Sequence, residues 1–98
     1  MDINLNKEGS KLVISIIGRV DTTTAPELEK CIDENTDGVT ELVLDVKDMS
    51  YTSSAGLRVL LKAQKLMNTL GTMKLINVQS DVMDILDVTG FTDILTIE

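Results

Sequence analysis

Apolar residues along this chain follow two rhythms, alternation with period two and recurrence at helical spacing, and the two rhythms take turns. Asp2–Asn6 alternates with Ile3 and Leu5 on one side and predicts an edge strand. Lys7-Glu8-Gly9-Ser10 predicts a turn, and Lys11–Ile17 (KLVISII) the second strand of a hairpin, ended by Gly18. Thr24 followed three positions later by Glu27 is a capping-box pattern. Pro26 falls in the first turn, where its missing N–H is harmless, so a helix is expected from here to about Asn35, stopped at Asp37-Gly38. Glu41–Val46 (ELVLDV) predicts the next strand and Lys47–Thr52 a loop. Across Leu57–Leu70, Val59, Leu60, Ala63, Leu66, Met67 and Leu70 recur at helical spacing, with Gly71 as the stop. Met73–Val78 predicts another strand. Ser80 caps a short helix to about Val88, which ends at Gly90 with Phe91 as a hydrophobic clamp, and Asp93–Ile97 is expected to add a last short strand.

The element order is therefore ββαβαβα(β). Strand–helix–strand steps imply parallel strands joined by right-handed crossovers. One face of the expected strands reads Leu12, Ile14, Ile16, Leu42, Leu44, Val46, Met73 and Leu75. The other reads Val13, Ser15, Ile17, Val43, Asp45, Lys74 and Ile76, which is mixed. A parallel sheet covered on both faces would be apolar throughout. The expected fold is α/β, with a small, mixed, mostly parallel sheet of four or five strands and three main helices packed on one face. Residues 1–98 are expected to form a single domain.

Two adjacent serines, Ser53 and Ser54, sit where the third strand, after its loop, hands over to the central helix. A helix start carries unpaired N–H groups and the positive end of the dipole, so an anion is stabilised there, whether a capping oxygen, a phosphate or a phosphoserine. Gly56, with no side chain, is expected to let another backbone approach the serines. Serine is also a preferred N-cap, and position alone does not make a site.

Composition narrows the chemistry. Sixteen acidic residues against nine basic ones give a net charge of −7, which disfavours nucleic acid and anionic membrane surfaces as partners. No apolar run is long enough to span a bilayer, and Met1–Asn6, acidic and alternating, is not a leader, so a cytoplasmic protein is expected. Aromatic residues make up 2% of the chain, so the core must be aliphatic. The absence of histidine removes Ser-His-Asp triads, and with one cysteine no thiolate metal site can form. No cofactor or metal is implied. Cys31 lies beside Leu28 and Ile32 on a helical stripe and reads as a buried structural thiol.

Gly18-Arg19-Val20-Asp21, Leu42–Asp45 and above all Tyr51–Leu61 resemble the STAS domains of the anti-sigma factor antagonist family, and element order and length match across essentially the whole chain. The family signature before the central helix is Asp-Ser-Ser/Ala-Gly-Leu, whose first Ser is phosphorylated. Laid on this chain it makes Ser54 the phosphorylated residue, followed by Ala55, Gly56 and Leu57. The family's Asp falls on Ser53, a departure. Asp21 matches an acidic loop residue near the phosphosite and partner surface. The resemblance implies no enzyme but a partner-binding surface made of Asp21, Thr22, Thr23, Ser53, Ser54, Ala55, Gly56, Leu57 and Arg58. Unphosphorylated, such a protein captures an anti-sigma factor, itself a serine kinase, and so releases a sigma factor. A serine phosphatase reverses the modification, and ATP and Mg²⁺ belong to the kinase. The free protein is expected to be a monomer.

Arg58, Lys62 and Lys65 form a basic stripe on the central helix, read either as a solvated face or as a contact ridge with Arg58 one turn from Ser54. Asp81, Asp84 and Asp87 read more simply as a solvated face. Asp45 either caps the following loop or contributes to a site at the carboxyl end of its strand. Two alternatives stand beside the antagonist. One is a STAS scaffold or sensor that binds a small anionic ligand, a nucleotide or a partner unrelated to sigma factors. The other is an enzyme with Ser54 as nucleophile, for which the chain shows no activating base.

Overall fold

The computed structural model describes residues 1–98. Strands β1 (Asp2–Glu8) and β2 (Lys11–Val20) form an antiparallel hairpin, followed by α1 (Ala25–Asn35), β3 (Glu41–Asp45), β4 (Met49–Thr52), α2 (Ser54–Leu70), β5 (Thr72–Ile76) and α3 (Ser80–Val88), with a 3-10 turn at Phe91–Asp93. The main sheet runs β1-β2-β3-β5. β2, β3 and β5 are parallel, and β4 pairs in parallel with β2 off this path.

The predicted core face is the observed one. Leu12, Ile14, Ile16, Leu42, Leu44, Val46, Met73 and Leu75 are all buried, and they join Leu28 and Ile32 of α1, Leu57, Leu60 and Met67 of α2, and Val82 and Leu86 of α3 in one cluster. The opposite face carries no helix and is half-buried, except Val43, which its cross-strand neighbours Val13 and Lys74 cover. Alternation had to persist because only one side of the sheet is packed.

Several boundaries differ from expectation for identifiable reasons. β1 runs on through Lys7 and Glu8, because Gly9, at φ 60, makes the hairpin turn with Ser10 alone. Gly18, at φ 96, does not end β2. It introduces a bulge, and Arg19 and Val20 continue the strand along a new partner, β4, in what the sequence presents as a loop. β5 stops at Ile76 because Asn77 adopts a left-handed φ of 61 and donates its side-chain amide to Asp45 Oδ1 at 3.1 Å. The expected last strand reduces to one parallel bridge between Leu75 and Ile97, with Leu75 N donating to Thr96 O at 2.9 Å. No helix is long and apolar enough to cross a membrane.

Gly71 closes α2 as expected, but through packing. A Cβ there would collide with the carbonyl group of Thr40, whose carbon would lie 2.7 Å away, and Thr40 O also accepts from Thr72 N at 2.8 Å. Backbone held in this way cannot move aside. Gly71→Ala should therefore lose about 1–3 kcal/mol of stability in urea unfolding. An unchanged midpoint would show that the Thr40 segment yields freely.

Candidate functional site

The end of β2 and the whole of β4 build the site. Gly18 N donates to Asp48 O at 2.8 Å, Arg19 and Val20 pair with Tyr51 and Thr52, and Ser53 N donates to Val20 O at 2.8 Å. This short ladder brings the Asp21–Thr24 loop beside the start of α2. The Arg19 guanidinium lies over the Tyr51 ring, 4.3 Å from its centroid, covering the outer side of the ladder. This pair was not anticipated, although both residues lie in the segments that carried the family resemblance.

Asp21 organises the loop. Its Oδ1 accepts from Thr23 Oγ1 at 2.7 Å, Thr23 N at 3.0 Å and Thr24 N at 3.1 Å. Thr24 Oγ1 accepts in turn from Asp21 N at 2.8 Å and lies 3.1 Å from Arg19 O, to which it can donate. Thr24 is the N-cap of α1, yet the expected capping box with Glu27 does not form. The Thr24 hydroxyl is engaged by Asp21 and Arg19, and the Asp21 carboxylate takes the capping role one turn earlier. The Thr23 hydroxyl, then the Thr24 and Thr23 amides, hold the Asp21 pKa down at about 2.

At the tip of α2, Ser53 is the N-cap and Ser54 the first helical residue. Ser54 is exposed. Ser53 is half-buried, with its Oγ sealed from solvent and without a hydrogen-bond partner, so it makes no side-chain cap. Its carbonyl accepts from Leu57 N at 3.0 Å, the first turn of the helix. What closes on Gly56 is not another backbone, as expected, but the side chains of Thr52 and Val20. Gly56 is buried, and a Cβ there would strike Thr52 Oγ1 and come within 2.9 Å of Val20 Cγ1. The glycine lets α2 sit close on the β2–β4 ladder. Leu57 is likewise in the core. Of the nine residues expected at the partner surface, Thr22, Thr23, Ser54 and Arg58 are exposed, Asp21, Ser53 and Ala55 are half-buried, and Gly56 and Leu57 support them from below.

Between α1 and the first turns of α2 lies an open groove of about 390 Å³, walled by Thr22, Pro26 and Glu29 on one side and Ala55, Arg58 and Lys62 on the other. Lys62 does not belong to a freely solvated stripe. Its Nζ lies 2.6 Å from Glu29 Oε1 and 3.8 Å from Asp33 Oδ2, tying α2 to α1. The hydrogen bond to Glu29 and the charge of Asp33 raise its pKa. Arg58, exposed at the groove edge, makes no ion pair.

Other candidates lie elsewhere. Asp45 Oδ1 accepts from Lys47 N at 3.1 Å and from Asn77, the loop-capping alternative. Cys31 is half-buried at the margin of the Ala25, Leu28 and Ile32 stripe rather than within it. Burial, then Glu34, push its pKa up, so the thiol stays protonated at neutral pH. Asp81, Asp84 and Asp87 are exposed on α3.

The family model of the STAS domain matches residues 2–98. BtrV of Bordetella bronchiseptica, named as a candidate anti-sigma factor antagonist, is 31% identical over 99 residues, covering 99% of this chain and 85% of its own. The anti-sigma-B factor antagonist of Bacillus subtilis is 26% identical over 98 residues, covering 99% and 90%. The fold is also that of SpoIIAA of Bacillus, an anti-sigma factor antagonist. Its unphosphorylated form matches with a TM-score of 0.78 at 17% identity, covering 99% of this chain and 87% of that one. SpoIIAA is also solved in its phosphorylated form, at a TM-score of 0.77 and 16% identity, covering 99% and 91%.

The Asp21 network sets an acid-side signature. A carboxyl whose folded pKa lies below its ordinary 3.8 adds stability above that value, and the contribution is lost as pH falls from 3.8 towards about 2. An NMR titration of Asp21 should therefore give a midpoint near 2, and Thr23→Val should raise it. A midpoint at the ordinary carboxyl value in the parent protein would contradict the hydrogen-bond geometry.

Proposed function

This chain belongs to the STAS domain family, and on that premise we propose that it is an anti-sigma factor antagonist, switched by phosphorylation at Ser54. The observation that carries this reading is an exposed serine at the first position of a 17-residue helix, held beside the Asp21–Thr24 loop by the β2–β4 ladder. The names of the two relatives and the two solved forms of SpoIIAA support it.

In this reading the unmodified tip of α2 and the Asp21–Thr24 loop dock on an anti-sigma factor in the cytoplasm, and its sigma factor is released. Thr22, Thr23, Ser54 and Arg58 supply exposed contacts, with Asp21, Ser53 and Ala55 at the margin and Gly56 and Leu57 fixing the shape beneath. The anti-sigma factor is also the kinase. It transfers the γ-phosphoryl group of ATP to Ser54 Oγ, the hydroxyl gives up its proton and ADP leaves. A phosphatase hydrolyses the ester. The free antagonist acts as a monomer and needs no cofactor of its own.

The phosphate adds a charge of about −2. On the isolated domain the helix N-terminus stabilises such a charge by about 0.3–1 kcal/mol. Arg58, one turn on and unpaired, can add a charge-assisted hydrogen bond, so the fold survives modification. At an interface the balance reverses, because a desolvated charge without a partner costs several kcal/mol, and about 4 kcal/mol is roughly a thousandfold in affinity.

Calorimetry with the anti-sigma partner should therefore show Ser54→Ala binding like the parent, Ser54→Asp binding more weakly, and the phosphoprotein weakest. All four should melt at similar temperatures. A phosphoprotein that binds as tightly as the parent would remove Ser54 as the switch, and one that melts much earlier would make the switch an unfolding event. Phosphopeptide mapping should find Ser54 modified, and modification of Ser53 or of Thr22–Thr24 would overturn the assignment.

Ser53 should limit the rate. It stands where the family has an acid able to orient the acceptor hydroxyl, and its own Oγ is without a partner. Ser53→Asp should raise the initial rate of phosphoryl transfer at fixed kinase. An equal or lower rate would mean that the kinase uses no carboxylate at this position.

A further inference from the structure

Helix α3 presents an outward face that the α2 tip does not use and that meets the core only through Ile85. Val82 and Leu86 are its buried residues, and its main packing partners are β4 and the Phe91–Asp93 turn. The outward side holds Val88 and, one turn before it, the exposed edge of Ile85, whose inner part packs against the core. Val88 is 87% exposed, far more than any other large apolar side chain. Asp84, Ile85, Val88 and Thr89 bound a shallow apolar recess, and the Thr89 hydroxyl is turned back onto Ile85 O at 2.7 Å. Asp81, Asp84 and Asp87 line the same side, all exposed and none in an ion pair. Asp87 stands in the last turn of a nine-residue helix, whose C-terminal end favours cations and whose last turn has none. Asp87 therefore opposes the dipole of its own helix, and the three exposed acids together are complementary to cations brought from outside.

We propose that this face docks an amphipathic helix of another protein, one whose apolar stripe is flanked by lysines or arginines. Ile85 and Val88 would receive the stripe, and the three aspartates would pair its cations. A second copy of this chain is a poor occupant, since it brings the same acidic α3 and a net charge of −7. The α1–α2 groove is made by other elements, so this docking is independent of Ser54 and of the antagonist reading.

The probe is a synthetic helix with a leucine stripe flanked by lysines. Its controls are a glutamate-flanked version and a lysine version of scrambled order, each titrated by NMR. Shifts should concentrate in Ser80–Ile94, and affinity should fall about tenfold from roughly 50 to 500 mM salt. Val88→Ser should weaken binding about fivefold, because the stripe loses its most exposed apolar contact. The double variant Asp84→Lys/Asp87→Lys should abolish binding, with circular dichroism confirming that it is folded. Ser54→Asp should bind the probe like the parent. Shifts spread over acids of other elements, equal binding of the scrambled helix, or variants that bind like the parent would each overturn the proposal. So would concentration-dependent self-association of the free protein that Val88→Ser removes.

Discussion

Between Asp48 and Ser53 the chain lies alongside the end of β2. Two hydrogen bonds, Gly18 N to Asp48 O and Ser53 N to Val20 O, both 2.8 Å, bracket this contact. Everything at the tip of α2 depends on it. It exists because Gly18, at φ 96, lets β2 bulge and leave β3 for a second partner. It is tight because Gly56 allows α2 to lie against Val20 and Thr52. A strand that ended at Gly18 would leave the Asp21 loop and the serines in separate places. One strand that serves two partners in succession makes them a single surface.

Electrostatics then shape that surface without help from buried charge. The Asp21 carboxylate is occupied by Thr23 and Thr24, so it rigidifies the loop. Lys62 is committed to Glu29 and Asp33, which fixes α1 against α2. What remains unpaired is Arg58, beside a helix start whose N-cap side chain makes no bond. On a chain of net charge −7, this places an unpaired cation beside the positive end of a helix dipole. Ion pairs as exposed as those of Lys62 add little net stability, so their role here is alignment of the helices more than stability.

The sequence displayed the layers of this fold clearly. Period-two alternation in β2, β3 and β5 identified the buried face residue by residue, since only one face is covered by helices. What it concealed was tertiary. Met49–Thr52 is short and mostly polar, and only its pairing with β2 makes it a strand. Gly18 and Gly56 were visible as glycines, but a bulge and a close helix approach are not written in local sequence. The capping box at Thr24 and Glu27 was a sound local pattern overridden by Asp21, which offered the same hydroxyl a better-placed partner. At the site, the serines and Asp21 could be read from motif and position, whereas the inward direction of Gly56 and the engagement of Lys62 by α1 required the packing.

The central claim is that one rigid surface, the Asp21–Thr24 loop with the α2 tip, is the part of the chain an anti-sigma partner covers, and that a phosphate on Ser54 uncovers it. Amide hydrogen exchange, with and without the partner, on unmodified and phosphorylated protein, tests this most directly. The account predicts slowed exchange at Asp21–Thr24 and Ser54–Arg58 only in the unmodified complex, with the β2–β3–β5 core equally protected in both forms. Slowed exchange located elsewhere, or retained in full after phosphorylation, would contradict it.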